Sequence, residues 1–132
     1  MLENRKINPW TWQDAFGFSQ AIETTGHTRV LRCAGQTSTS PSGESMHAGD
    51  PAAQIALALD NLEAVLKAAN MTLANVVRLN IYTPDIDAIM PHFGVLASRL
   101  AAAGVQPAMT LLGVTRLFEL ALLIEIEAEA VA

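Results

Sequence analysis

Towards the C-terminus, apolar residues recur at every second position. Leu120, Leu122, Ile124, Ile126, Ala128 and Ala130 fall in step, with Glu125, Glu127 and Glu129 between them. This period of two predicts a β-strand with one apolar face and one carboxylate face. Val77, Leu79 and Ile81 alternate with Arg78, Asn80 and Tyr82 and predict a second two-faced strand. Phe16, Phe18, Gln20 and Ile22 predict another. A turn over residues 23–27 and a strand over residues 29–34 follow, so the two strands can form a hairpin, with Gly35 closing the second. Residues 37–50 are rich in Ser, Pro and Gly and predict a loop with room for a short strand. Residues 108–114 read as a further strand.

Two stretches switch to helical spacing. Asp50-Pro51 is a start signal, with Asp as N-cap and Pro at the first helical position. Ile55, Leu59, Leu62 and Leu66 then form an apolar stripe, and Asn70 can end the helix in the left-handed conformation. After Pro84, Asp85 or Asp87 can cap a second helix with Ile89, Phe93, Leu96 and Leu100 as its stripe and Gly104 as its stop. Pro91 falls in an early turn, where proline is tolerated. The order ββ(β)–α–β–α–ββ gives an α+β fold with a mixed five- to six-stranded sheet. The strand–helix–strand unit implies a parallel pair, and the two helices cover one sheet face. The other face is expected to carry Leu and Ile still, which would require a partner subunit.

With 132 residues the chain is expected to be one domain, 1–132. Half of it is apolar and 16% is charged, and the mean hydropathy is +0.28, more than so small a core absorbs, which again points to oligomerisation. The net charge of −5 argues against nucleic acid and anionic membranes as partners, since both select a basic face. The pairs Arg5–Lys6 and Arg29–Arg32 are read as solvated charges. A lone cysteine, Cys33, excludes an internal disulfide and sits among apolar neighbours, as a small buried hydrophobe would. The N-terminus has no apolar signal region and no 18-residue apolar run exists, so a cytoplasmic location is expected.

Few residues suggest chemistry by themselves. His27, His47 and His92 lack ligand spacing, and no metal is expected. No phosphate-binding glycine pattern and no nucleophile elbow occur. The three glutamates of the last strand remain, about 7 Å apart along one face. They read either as a solvated face or as a carboxylate poised on a ligand or its attacking water.

Several segments resemble one family in order along the chain. Cys33-Ala-Gly-Gln36, Asp50-Pro-Ala-Ala-Gln54, Ala58-Leu-Asp-Asn-Leu62, Val76–Tyr82 with Asp85, Pro107-Ala108 with Thr110, Val114 and Leu117, and Ile124-Glu-Ile-Glu-Ala128 are similar to the motifs of the RidA/YjgF proteins. These are the reactive-intermediate imine deaminases, formerly called endoribonuclease L-PSP or translation inhibitors. The resemblance implies a chorismate-mutase-like fold and a homotrimer with small-molecule clefts between subunits. It implies hydrolysis of enamines and imines to ammonia and a 2-keto acid, with no cofactor.

The resemblance also marks departures. In the active deaminases an arginine follows Pro-Ala and grips the substrate carboxylate with two hydrogen bonds. Here Met109 stands in that place, at an expected cost of several kcal/mol of binding to such a substrate. Phe18 stands for a tyrosine, Phe93 approximately for an asparagine, and Leu111 for a cysteine. Gly35 is retained. Glu125 matches the glutamate that positions water, with a register one residue uncertain because the stretch after Arg116 is longer. The implied ligand cleft is Phe18, Gly35, Phe93, Met109 and Leu111, with Glu125 as candidate catalytic carboxylate. Three functions follow as expectations: binding or processing of a neutral or cationic apolar metabolite, imine/enamine deamination, and a structural trimer without catalysis. Whether the chain is an enzyme stays open at this point. The ribonuclease name finds no support in an acidic chain without a basic and aromatic stripe.

Overall fold

A computed structural model describes residues Met1 to Ala132. Four strands form the main sheet: β3 (Val30–Gln36), β4 (Val76–Thr83), β5 (Ala108–Gly113) and β6 (Glu125–Val131), in the order β3-β6-β4-β5. β4 and β5 are parallel and joined through helices; β6 is antiparallel to both β3 and β4. β1 (Glu3–Ile7) and β2 (Ala21–Thr25) form an antiparallel ribbon. The ribbon reaches the edge of β5 through a parallel bridge from Ser19 to Ala108, where the Ser19 amide donates to the Pro107 carbonyl at 2.9 Å. The expected α+β class with a mixed sheet is therefore what forms.

Helix α1 (Pro51–Ala68) begins as the sequence predicts: the Asp50 carboxylate accepts from the Ala53 amide at 3.1 Å. It ends with Asn70 at φ +57°, and Arg29 donates to the Ala69 carbonyl at 2.6 Å. The second helical stretch is broken in two. Asp85 caps a short helix α2 (Ile86–Ile89), a 3-10 turn follows over Met90–His92, and helix α3 (Gly94–Ala102) completes the run. Pro91 lies in that turn and has no amide hydrogen to give. Arg99 ties α3 to α1, bonding to Asp60 at 2.8 Å, to Glu63, and to the Ala56 carbonyl at 3.0 Å. Ile55, Leu59, Leu62, Leu66, Ile89, Leu96 and Leu100 are fully buried against Leu79, Ile81, Ile126, Ala128 and Ala130. No helix is long and apolar enough to cross a membrane.

The structure corrects four sequence expectations. Phe16, Phe18, Gln20 and Ile22 do not form one strand: Trp12–Phe16 is a 3-10 turn, Gly17 reverses the chain at φ +78°, and β2 starts only at Ala21. The expected hairpin of β2 with β3 is absent, because β2 pairs with the N-terminal strand, helped by Arg5–Glu23 and Thr24–Asn4 bonds. The last strand begins at Glu125, not near Leu120, which is 79% exposed. Buried Gln54 explains this: its amide donates to the Ala121 carbonyl at 2.8 Å and its carbonyl accepts from the Leu123 amide at 2.8 Å. The backbone there bonds to helix α1 instead of a strand. Finally, the uncovered sheet face carries little Leu or Ile: Leu112, opposite Tyr82, is exposed on it and Ile22 of the ribbon borders it. Leu79, Ile81 and Ile126 all turn to the helices, and the open face holds Arg78, Asn80, Tyr82, Thr110 and the three glutamates.

Gln54 also donates to the His47 carbonyl at 3.1 Å, so one side chain fastens two loops. Gln54→Leu keeps the helix but leaves the partly buried backbone groups of His47, Ala121 and Leu123 without their side-chain partner. We expect it to lower unfolding free energy by at least about 2 kcal/mol, read as a reduced urea midpoint; an unchanged midpoint would refute this role.

Candidate functional site

The residues singled out from the sequence separate into two groups. Phe18, Phe93, Met109 and Leu111 come together on the helix side of the sheet. With Trp12, Phe16, Ile81 and Met90 they line a pocket of about 210 Å³ with eight apolar walls. The β4–β5 register places Ile81 beside Leu111, and both residues face the helices with Met109. Phe93 and Met90 approach from the turn between α2 and α3, and the N-terminal aromatics close the remaining side.

That aromatic segment is held firmly. Gln13 is fully buried and donates to the Trp10 carbonyl at 2.8 Å. Gln106 donates at 2.8 Å to both the Phe18 carbonyl and Asp14. Trp12 meets Phe18 with centroids 5.6 Å apart and Phe16 with centroids 6.4 Å apart, edge to face in both cases. Phe16, Trp12, Met90 and Ile81 escaped the sequence reading. The strand expected through Phe16 and Phe18 concealed their grouping with Trp12, which depends on Gly17.

Gly35 and Glu125 come together elsewhere. A Cβ on Gly35 would lie 2.5 Å from the Glu125 Cδ, so glycine is what lets the carboxyl side chain lie over β3. Glu125 pairs in register with Tyr82 and shares a depression of about 410 Å³ with Tyr82, Glu127, Arg116 and Phe118. On this face Glu127 accepts from the Asn80 amide at 3.0 Å and from the Tyr82 hydroxyl. Arg78 donates to Thr110 at 2.7 Å, and Arg32 lies 3.5 Å from Glu129. Arg116 bonds to the Leu117 and Phe118 carbonyls of its own loop. Alternation therefore puts Glu125 and the apolar pocket on opposite sides of the sheet.

Burial raises the Glu125 carboxyl above its ordinary value, and the Glu127 charge raises it further. Hydrogen bonding to Glu127 is the largest cause raising the Tyr82 phenol, followed by burial. Burial likewise raises the Cys33 thiol, in keeping with a packed residue rather than a nucleophile. Met109 and its neighbours offer no charge to a carboxylate ligand. What the pocket can do is exclude water and take up apolar surface.

These features define a small α+β protein with an apolar pocket on one side of its sheet and a carboxylate face on the other. The family model described as endoribonuclease L-PSP matches residues 12–132, and the chain belongs to this RidA/YjgF family. Its fold is similar to that of YyfB from Yersinia pestis, a member of the conserved Rid family, with 36% identity, TM-score 0.84 and 98% of each chain covered. Rv2704 of Mycobacterium tuberculosis, of the YjgF/YER057c/UK114 family, is 30% identical with TM-score 0.66, covering 98% of this chain and 100% of that one. The YjgF gene product of E. coli is 27% identical with TM-score 0.70, covering 86% and 87%. No curated protein matches.

The raised Glu125 carboxyl has a consequence for stability. Because its folded value lies above the unfolded one, the native state holds the proton longer, and stability falls as pH rises from about 4.5 through the folded value. Glu125→Gln is expected to flatten that fall between pH 4 and neutrality in chemical denaturation. An identical pH profile in the variant would exclude Glu125 as the source.

Proposed function

We propose that this chain acts as a homotrimer that takes up a neutral or cationic apolar small molecule in clefts between its subunits. The observation that carries the reading is the wholly apolar pocket with Met109 in it, at the position where the resemblance puts an anion-gripping arginine. A pocket without any positive group disfavours a 2-imino or 2-keto acid anion, because a desolvated carboxylate needs a partner. Apolar surface is what such walls reward.

The family and the separation of the two groups support a trimer. One protomer holds Phe18, Phe93, Met109 and Leu111 on one side of its sheet and Gly35 with Glu125 on the other. A single ligand touching both sets needs two subunits, one supplying each. The proposed cleft is thus an apolar wall facing a neighbour's carboxylate. Binding needs no cofactor.

A second reading is favoured by Glu125 itself. A carboxyl raised by burial beside another carboxylate is suited to exchange a proton with an attacking water, as imine or enamine hydrolysis requires. In that case the substrate lacks the carboxylate that the family's arginine grips.

Imino acids generated by an amino-acid oxidase separate the readings. The wild type is expected to leave imine decay at the uncatalysed rate, and Met109→Arg to accelerate it. Wild-type acceleration by the usual imino acids would overturn the reading of Met109. Native mass spectrometry is expected to give three chains per particle, and a monomer would remove the cleft.

A further inference from the structure

The walls of the apolar pocket narrow the class of ligand, an inference that rests on the reading just given. The chain has only seven aromatic side chains, two Trp, one Tyr and four Phe. Four of them, Trp12, Phe16, Phe18 and Phe93, line this one pocket together with two methionines, Met90 and Met109. A hydrophobic core needs no such concentration, and the fully buried core is built from Leu and Ile. Trp12 is 58% exposed in the single chain, so packing within its own protomer does not account for its place.

The rings do not stack shut. Trp12 stands at 74° to Phe16 and at 73° to Phe18, and walls set nearly at right angles make the corner of a box. Gln13 and Gln106 hold the backbone of this segment from both ends. Walls fixed in advance lose little freedom when a ligand enters.

The chemistry of the walls excludes most polar groups. None of the lining side chains is charged, and the Trp12 indole N–H is the one strong hydrogen-bonding group among them. A primary ammonium carries three donors; the pocket walls offer it no side-chain acceptor, and one facing carboxylate would leave donors unpaired. A carboxylate would find no cation. A fully alkylated ammonium carries positive charge with no N–H, so it loses no hydrogen bond on entry. Aromatic faces attract that charge, and polarizable thioethers suit its methyl groups. The net charge of −5 contributes a long-range field of the same preference. A neutral branched hydrocarbon of equal shape gains only the burial.

We propose that Trp12, Phe16, Phe18 and Phe93 form a site for the quaternary ammonium group of a small ligand. Choline and its neutral isostere 3,3-dimethylbutan-1-ol test this directly, since they differ in charge and hardly in shape. Binding is followed by NMR on the Trp12 indole and on the methionine methyls of the full chain. Choline is expected to bind about tenfold more tightly than the isostere. Trp12→Leu, at an exposed position, is expected to remove most of that difference while leaving the isostere within about threefold. Equal or tighter binding of the isostere, or equal losses for both ligands in Trp12→Leu, would overturn the ammonium site while the apolar-ligand reading stands. If neither probe shifts a pocket resonance, both readings fall.

Discussion

Strand β6 has a partner on each side, β3 and β4, and no free edge. Its alternation is therefore imposed on the sheet around it. Ile126, Ala128 and Ala130 are buried under α1, and Glu125, Glu127 and Glu129 must face the other way. A slip of one residue would drive three carboxylates into the core, at a cost far beyond the stability of a small domain. Register here is as strongly specified as it can be. The pairing of Tyr82 with Glu125 and of Asn80 with Glu127 follows from it, as does the hydrogen-bonded cluster those residues make.

The same alternation divides the candidate site. Apolar walls belong to the helix side and carboxylates to the open side, and no rotamer of Met109 or Glu125 crosses a hydrogen-bonded sheet. The polar face is internally paired: Glu127 with Asn80 and Tyr82, Arg78 with Thr110, Arg32 with Glu129. Glu125 is the member of this face that no protein donor engages through its side chain, and its carboxyl is raised instead. A carboxylate in that situation gains from a cation or a donor brought to it.

What the sequence makes legible is local. Period two in Val77–Tyr82, the Asp50-Pro51 start, Asn70 and Gly104 as stops at positive φ, and the heptad-like spacing of Ile55 to Leu66 all report backbone rules that neighbours do not override. The failures share one cause, side chains acting over long sequence distances. Gln54 claims the backbone at Ala121 and Leu123 and so shortens β6. The N-terminal strand claims β2 from β3. For the site, Met109, Leu111, Phe18 and Phe93 can be drawn into one pocket by resemblance, but Trp12, Phe16 and Met90 need the turn at Gly17 and the break at Pro91, and neither shows in a hydrophobic pattern. Total apolar content does not reveal how polar the open face is, with Leu112 as its exposed leucine. Most of that content goes to a core beneath three helices and to exposed residues such as Trp10, Phe118 and Leu120.

The substitutions read from the family resemblance are coupled by physics. Had an arginine alone been replaced by methionine, a tyrosine hydroxyl and an asparagine amide would remain at the pocket with their charged companion gone. Buried polar groups in that position cost more than they return. The resemblance puts Phe18 at the first of those places and Phe93 approximately at the second, and no buried side-chain polar atom in the chain lacks a hydrogen-bond partner. The volume has not collapsed either: about 210 Å³ stays open between well-held walls. A decayed site is expected to fill or to leave orphans, because nothing maintains an empty apolar space against the dispersion energy gained by closing it. An open pocket with consistent apolar chemistry on every wall is what the proposed uptake of an apolar or donor-free ligand group requires.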